Sequence, residues 1–388
     1  MMNMIISSQN TKLNTQEGKI MIIMDFKADN FMLFKNFHMN MSYPKKIVDS
    51  GIEGEFLKER RNFRYKKVNI LMGANAAGKT SIGRLLMAVF NFISRGKTED
   101  IIEKVGEKDK IATFSLDFVD GKYNLNRIDI RIEPQIDKGS KMVKLCARKM
   151  EINKRDNYET CVQRLEEIPL CLTSDIDAEL AKIPYIGWMF GYSADSNNGE
   201  VDCEDYENYP TILDYTLRAL DPSIKKVEKL NEVKASYVVR TKLQDLIIQD
   251  GEVIRNSILS SGTKAGIDVA RMLSGICEGA YQFYYCDELF SYVHSDIEKA
   301  FLSVMINQLK DNQQLFFTTH NSDILDMQLP KHAFCFLKKD VNDIEEPVKC
   351  IDASKYLKRN TDSLRHAVEN DLFSTAPNLE LIYEIENL

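Results

Sequence analysis

The stretch Gly73-Ala74-Asn75-Ala76-Ala77-Gly78-Lys79-Thr80 decides the fold of this 388-residue chain. It matches the phosphate-binding pattern G-x-x-x-x-G-K-[ST] at every fixed position. An apolar run at 68–72 precedes it, and a pattern typical of a helix follows at 81–90. A loop between a strand and a helix can direct its N–H groups and the positive helix end at phosphate oxygens. The residues expected to contact a nucleoside triphosphate are Gly73, Asn75, Ala76, Ala77, Gly78, Lys79, Thr80 and Ser81.

Four short apolar runs, separated by helical patterns, predict the strands of one buried parallel sheet. They span 67–72, 281–286, 314–319 and 332–338. Three β-rich segments with alternating polarity predict an antiparallel sheet beside it, to which residues near 22–42 add strands. These segments span 111–118, 122–133 and 142–152, with a hairpin turn at Asp120-Gly121. A helical pattern at 210–233, broken at Asp221-Pro222, and a hairpin turning at 249–252 complete the prediction. The expected class is therefore α/β.

Composition narrows the function classes. Hydrophobic residues make up 44% and charged residues 28% of the chain, as is usual for soluble proteins. The net charge of −7 argues against a surface coated for nucleic-acid binding, although a local basic groove stays open. No run reaches the roughly 20 apolar residues of a membrane span. The eight cysteines form no C-x-x-C pair, so we expect free thiols and a cytoplasmic protein.

A second phosphate-binding segment is predicted at Leu259-Ser260-Ser261-Gly262-Thr263-Lys264, just before a helical pattern at 265–278. Serine hydroxyls and a glycine N–H at a helix start can bind an anion. The P-loop already holds the phosphates of its own nucleotide. The segment is therefore most useful against the γ-phosphate of a nucleotide bound by another subunit, which predicts an oligomer.

Two acids end the apolar run Tyr284-Tyr285-Cys286-Asp287-Glu288. This is a Walker B pattern, in which Asp287 would hold Mg²⁺ together with the Thr80 hydroxyl. Glu288 would lie beside the γ-phosphate and polarise the attacking water.

A histidine, His320, follows the predicted strand at 314–319. Ligands of open α/β sheets bind at the carboxyl ends of the strands. We therefore expect His320 to donate a hydrogen bond to the γ-phosphate and to report its presence.

The order and spacing of these motifs resemble the ATP-binding-cassette (ABC) ATPase superfamily. Within it, the chain resembles the soluble branch that contains SMC-type repair ATPases, the ATPase heads of overcoming-lysogenization-defect (OLD-like) proteins and many antiphage ATPases. Ser-Ser-Gly-Thr in place of Leu-Ser-Gly-Gly-Gln, and Thr-Thr-His-Asn at 318–321, favour that branch over transporter subunits. The resemblance covers roughly 22–134 and 250–340.

The resemblance implies a P-loop NTPase with an ABC-type head at 21–134 and 250–388 and an inserted β/helical subdomain at 135–249, which we expect to be mainly helical. The polar composition of residues 1–20 predicts a disordered segment. It makes Lys79 a β/γ-phosphate ligand and residues 260–263 the signature segment that acts in trans. It also places a D-loop at 291–296, with His294 near the dimer seam.

Three features depart from the family pattern. No glutamine stands out as the Q-loop residue, since neither candidate, Gln135 or Gln163, is well placed in the sequence. The long coiled coil of repair ATPases is absent. Too few residues follow His320 for a Toprim nuclease domain, so the chain resembles the ATPase component alone.

The functional prediction is an ATP-binding and ATP-hydrolysing switch. It would act as a homodimer or larger homo-oligomer and control a separate effector, a nuclease in antiphage defence such as the PARIS-type systems. One alternative is a DNA-repair or chromosome-maintenance ATPase that binds DNA, and another is a nucleotide-gated scaffold with slow or no hydrolysis. The basic residues Lys45-Lys46 and those at 58–67 are interpreted either as solvated loops or as phosphate contacts.

Overall fold

The computed structural model describes ten stretches of the chain, and every structural statement refers to them. They are residues 20–47, 50–134, 141–193, 206–230, 232–242, 244–249, 252–254, 260–359, 361–375 and 380–385. The predicted N-terminal segment 1–20 therefore lies outside the described residues except for residue 20.

The described residues form strands and helices, and the strands pair with both local and distant segments. The strands are β1 (Met21–Asp29), β2 (Phe37–Asn40), β3 (Phe56–Leu57), β4 (Arg60–Arg64), β5 (Val68–Met72), β6 (Ala112–Asp120), β7 (Asn124–Pro134), β8 (Lys141–Glu151), β9 (Trp188–Tyr192), β10 (Ile224–Lys229), β11 (Ser236–Thr241), β12 (Asp245–Gln249), β13 (Glu252–Ile254), β14 (Phe283–Asp287), β15 (Gln314–Thr318), β16 (Phe334–Lys339) and β17 (Val348–Asp352). The helices are α1 (Lys79–Arg95), α2 (Thr98–Ile102), α3 (Tyr158–Glu166), α4 (Ile176–Leu180), α5 (Tyr209–Leu220), α6 (Ser261–Glu278), α7 (Ser295–Gln308), α8 (Ala353–Tyr356), α9 (Leu364–Glu369) and α10 (Glu380–Glu384).

A six-stranded sheet forms the centre of the molecule, in the order β17-β16-β5-β15-β14-β9. The strands from β16 to β9 are parallel, and β17 is an antiparallel edge strand. This sheet contains all four strands predicted from apolar runs, with shifts of one or two residues at their ends. Such runs are expected where both faces of a parallel sheet are covered.

The two faces of the parallel sheet pack against different layers, because successive side chains of a strand point to opposite sides. Phe283, Tyr285 and Phe316 face α1 and the antiparallel sheet, in one apolar cluster. Tyr284 and Phe317 face α6 and α7 in the other cluster. Helix α1 is thus buried between two sheets, which holds its N-terminus at the edge of the parallel sheet.

The predicted antiparallel sheet is confirmed, with the order β2-β1-β6-β7-β8. Its β6–β7 hairpin turns at Asp120, whose carbonyl accepts a hydrogen bond from the Tyr123 N–H at 3.1 Å. Together the parallel core and this antiparallel sheet make the fold a P-loop α/β fold with the two-sheet arrangement of an ABC-type head. Among the described residues, no helix combines the length and the apolar character needed to cross a bilayer.

The structure corrects two expectations for the segment 135–249. Strand β8 pairs with β7 along its whole length, and β9 pairs with β14, so both belong to sheets of the head. The helical prediction at 210–233 holds only to Leu220. Beyond Pro222 the chain forms β10, because Ile224 and Val227 are buried on one side of a strand that pairs with β11.

The expectation of a mainly helical insert is wrong for the described residues. Besides the short helices α3 and α4, the part outside the two head sheets is a four-stranded antiparallel sheet, β10-β11-β12-β13, with α5 beside it. The predicted hairpin near 249–252 is confirmed by the pairing of Gln249 with Glu252, although residues 250–251 lie outside the described residues.

Candidate nucleotide site

The P-loop joins β5 to α1 in backbone conformations that demand small residues. Gly73 has φ +147°, Ala76 has φ +60° and Gly78 has φ +113°. A Cβ on Gly73 would lie 2.5 Å from the carbonyl oxygen of Leu337, so only glycine fits there. Because Gly78 is also the N-cap of α1, the loop ends at the positive end of a 17-residue helix. This geometry suits an anion.

Lys79 is the first residue of α1 and its side chain is only 4% exposed. Its ammonium donates hydrogen bonds to the carbonyl oxygens of Gly73 at 3.0 Å and Ala74 at 3.4 Å. It also lies 3.5 Å from the Glu288 carboxylate. Burial lowers the pKa of Lys79, and the nearby Glu288 opposes that shift. The ammonium therefore points into the loop, where it is held by acceptors that phosphate oxygens could replace.

The carboxylate of Asp287 closes the other side of the loop. Its two oxygens accept hydrogen bonds from the Thr80 hydroxyl and the Thr318 hydroxyl, each at 2.7 Å. Burial raises the pKa of Asp287, while the two hydroxyl contacts act to lower it. A hydroxyl and a carboxylate in contact are the hard oxygen donors that Mg²⁺ prefers.

Thr318 belongs to this site, although no motif predicted a role for it. Its position follows from the parallel register, in which Asp287 at the end of β14 lies opposite Thr318 at the end of β15. The threonine at the end of the predicted strand was the available signal, but the strand order was needed to interpret it.

Glu288 follows directly and has an unusual backbone, with φ +50°. Its N–H donates to the Thr318 hydroxyl at 3.1 Å, which helps to hold this conformation. Its carboxylate lies 2.7 Å from His320 Nε2. The hydrogen bond from His320 is the largest cause that lowers the pKa of Glu288, and Lys79 adds to it against the effect of burial. Glu288 is thus kept ionised at the edge of the sheet.

Glu298, a buried residue on the first turn of α7, binds the two residues that flank His320. Its carboxylate accepts a hydrogen bond from the Thr319 hydroxyl at 2.6 Å and another from the Asn321 amide at 2.8 Å. Both donors flank His320, so the loop after β15 is tied to α7. Sequence analysis missed Glu298, because a single glutamate in a helix gives no signal of burial.

The predicted second anion site lies at the N-terminus of α6. The Ser260 hydroxyl caps that helix, since it accepts the Thr263 N–H at 3.1 Å and lies 2.7 Å from the Thr263 hydroxyl. Thr263 is 1% exposed and its side chain lies within this cap, so its predicted contact with phosphate stays a prediction. Ser261 is exposed, and Gly262 packs closely against Tyr292, whose carbonyl oxygen would lie 2.8 Å from an added Cβ.

The P-loop, Asp287, Glu288 and His320 therefore meet at the carboxyl edge of three adjacent parallel strands. Within the described stretches, no hydrogen bond joins residues 260–263 to the P-loop of the same chain. His294 is exposed and accepts a hydrogen bond from the Asp296 N–H as the N-cap of α7, so its predicted place near a dimer seam stays a prediction. Gln163 lies exposed on α3, and Gln135 is outside the described residues, so the Q-loop residue stays unassigned.

Comparison with known proteins gives a likeness of fold. No protein-family model matches the chain, and no curated protein matches it significantly. Among solved structures, an Smc head bound to the C-winged helix domain of ScpA is 15% identical with a TM-score of 0.49, covering 86% of this chain and 99% of that one. The SMC head domain from Thermotoga maritima is 13% identical with a TM-score of 0.42, over 85% and 98%.

The recombination mediator protein RecF, in a structure with ATP, is 12% identical with a TM-score of 0.42, over 86% of this chain and 99% of that one. The class of this protein, a P-loop α/β fold with an ABC-type head, rests on its own strand order and loop geometry.

Proposed function

We propose that this protein binds ATP with Mg²⁺ and hydrolyses it as an oligomeric nucleotide switch. The observation that carries the proposal is the convergence of five side chains at one sheet edge. Contacts of 2.7–3.5 Å link Lys79, Glu288 and His320 on one side and Thr80 and Asp287 on the other. These residues come from three separate segments of the chain.

The donor set fits a magnesium ion. The Thr80 hydroxyl and the Asp287 carboxylate would hold it; a hydrogen bond already joins them, and Asp287 is buried. A bound Mg²⁺ would neutralise charge on the β- and γ-phosphates.

Lys79, Glu288 and His320 have separate roles in binding and hydrolysing ATP. When ATP binds, the Lys79 ammonium exchanges the carbonyl oxygens of Gly73 and Ala74 for phosphate oxygens. The buried ammonium therefore already has hydrogen-bond acceptors before ATP arrives. Glu288 accepts the proton of the attacking water, and His320 orients the Glu288 carboxylate through their 2.7 Å contact. Because the lowered pKa of Glu288 keeps it ionised, the base is ready at neutral pH and is lost only as the pH falls through that lowered value.

We further propose that each site is completed by Ser261 and Gly262 of a second subunit. The support is that Ser261 is exposed at the start of α6 and that, among the described residues, no hydrogen bond joins this helix start to the P-loop of its own chain. ATP held between two such surfaces closes the dimer, and hydrolysis releases it, because only the triphosphate contacts both.

Mixing two inactive variants tests this arrangement. Lys79→Ala removes the phosphate ligand, and Ser261→Arg blocks the exposed helix start without entering the core. In a 1:1 mixture, half of the dimers combine the two variants, and each of these has one intact site. The mixture should recover about a quarter of the wild-type ATPase rate, if subunits pair at random as in a symmetric dimer.

The double variant Lys79→Ala/Ser261→Arg, mixed 1:1 with wild type, is the matched control. If the motifs act across subunits, both sites of each mixed dimer contain one damaged component, so only the wild-type homodimers work and about a quarter of the wild-type rate remains; if each chain works alone, about half of the rate remains. Recovery by the two single variants shows that the motifs act across subunits. No recovery, with each variant still folded and the Ser261→Arg protein still binding ATP, would show that each chain works alone.

For the biological role, we propose that the switch controls a separate effector protein, a nuclease in antiphage defence. The resemblance of the motif set to that branch of ATPases supports it. ATPase rates measured with and without DNA test it against the maintenance role. Stimulation by DNA that falls steeply with salt would favour a DNA-binding ATPase instead.

A further inference from the structure

A long basic cleft lies where the antiparallel sheet meets the edge of the parallel sheet. It consists of two cavities of about 710 Å³ and 440 Å³. Both are lined by Tyr43, Lys45, Ser354 and Lys358, so they form one continuous cleft, which we name the lysine cleft. None of its lining residues belongs to the P-loop, to the Walker B pair or to the loop of His320. It is therefore separate from the nucleotide site.

The lysine cleft is positively charged, whereas the whole chain has a net negative charge. Five lysines line the larger cavity and four line the smaller, with Lys45 and Lys358 shared, so seven lysines face the cleft. The larger cavity has three carboxylates, Glu159, Glu346 and Asp352. No carboxylate of the described residues lines the smaller cavity. A concentration of positive charge on a chain of net charge −7 produces a local field that attracts anions.

Most of that charge is not neutralised within the protein. Lys66 is buried and pairs with Asp352 at 2.7 Å, Lys349 pairs with Asp343 at 2.8 Å, and Lys331 lies 3.9 Å from Asp362. Four other lysines are exposed and form no ion pair with any described residue. They are Lys45, Lys46, Lys355 and Lys358. Like charges that face one cleft repel each other, and a bound polyanion would remove that repulsion.

The lining also suits planar groups. Tyr43 packs on the ring of His332, with ring centroids 4.4 Å apart, and Tyr356 is 54% exposed at the same cleft. Aromatic rings beside lysines can stack on bases while the ammonium groups contact phosphates. Lysine also acts as a point charge for phosphate, whereas bidentate recognition of carboxylates favours arginine.

We propose that the lysine cleft is a second anion site, which binds phosphate groups carried by a nucleotide or by a single nucleic-acid strand. The larger cavity is within the size range of small-molecule sites, and the continuation into the smaller cavity gives room for further phosphates. The cleft joins residues 43–46 to residues 349–358, so its ligand would connect the two sheets of the head.

A charge-reversal pair tests the site. Lys45→Glu/Lys358→Glu alters the two lysines shared by both cavities, and Lys225→Glu/Lys229→Glu makes the same charge change on the exposed side of β10. Binding is measured by fluorescence anisotropy of a labelled 20-nucleotide oligothymidylate, with saturating ATP present to occupy the P-loop. The cleft variant should weaken binding by about tenfold or more at low salt, while the β10 control stays within about twofold of wild type.

Competition distinguishes the two sources of phosphate. If unlabelled inorganic tripolyphosphate displaces the oligonucleotide, the cleft recognises phosphate groups in a small ligand as well. If only an unlabelled oligonucleotide displaces it, with affinity that falls linearly on a logarithmic salt scale, the ligand is a strand. Displacement by polyglutamate at equal charge would overturn phosphate recognition.

Equal loss in the cleft and control variants, or no loss in either, would also overturn the proposal. The melting temperature and the basal ATPase rate of the cleft variant should match wild type, because both substituted lysines are exposed and outside the nucleotide site. A neutralising variant, Lys46→Gln/Lys355→Gln, gives a second measurement should the charge reversal disturb folding.

Discussion

Replacing Glu288 with glutamine separates the binding of ATP from its hydrolysis. The substitution keeps the side-chain length and the left-handed backbone at φ +50°, so it removes the charge and the base alone. Loss of a positioned general base lowers a rate by about 10²–10⁴-fold. At 1.36 kcal/mol for each tenfold change, the barrier would rise by about 3–5 kcal/mol.

The affinity for ATP should rise in the same variant, although the rate of hydrolysis falls. In the free protein the Glu288 carboxylate lies 3.5 Å from the Lys79 ammonium, which must turn to the phosphates when ATP binds. Since Glu288 is 25% exposed, solvent screens this pair, and such pairs contribute about 0.4–1 kcal/mol. Removing it should lower the Kd for ATP about two- to fivefold.

The assay combines single-turnover hydrolysis with equilibrium binding of ATP. Glu103→Gln, an exposed glutamate on the surface, is the matched control and should leave both values unchanged. A Glu288→Gln protein whose kcat stays within tenfold of wild type would refute the assignment of the base. Slow turnover that is the same in wild type and variant would favour the nucleotide-gated scaffold.

Two further substitutions test the support of the site. Gly83→Ala should destabilise the fold by about 1–3 kcal/mol in urea denaturation, because its Cβ would lie 2.6 Å from the buried Tyr285 ring; an unchanged midpoint would contradict this packing. Glu298→Gln should lower kcat, since one acceptor oxygen for Thr319 or Asn321 is lost. Burial raises the pKa of Glu298, so wild-type stability falls as the pH rises through that raised value, and glutamine should remove this loss. Parallel stability curves for wild type and variant across the acidic range would contradict it.

The α/β class and the candidate phosphate ligands could be predicted from sequence because their signals are local. Gly73, Gly78, Lys79 and Thr80 lie within eight residues, and their spacing alone requires a tight loop before a helix. Four of the five parallel strands could equally be predicted, since burial on both faces demands an apolar run, whereas β9 was not predicted. Strand β10 could not be predicted as a strand, because Ile224 and Val227 also fit a helical period.

Other parts of the site depend on contacts between distant segments. Thr80 and Asp287 are 207 residues apart and touch only because α1 starts where β14 ends. Thr318 enters the site through strand register, and Glu298 through the packing of α7. The lysine cleft combines residues 43–46 with residues 349–358. In either segment alone, the lysines have the pattern of ordinary solvent-exposed residues.

The sequence by itself determined that this chain has a P-loop, a parallel core and the residue types for ATP hydrolysis, because those features depend on short-range spacing and hydrophobic pattern. Only the tertiary structure decided which side chains surround the loop, that Thr263 belongs to a helix cap, and that lysines from two segments face one cleft. Strand order and packing set those distances, and neither is encoded in any single stretch of the chain.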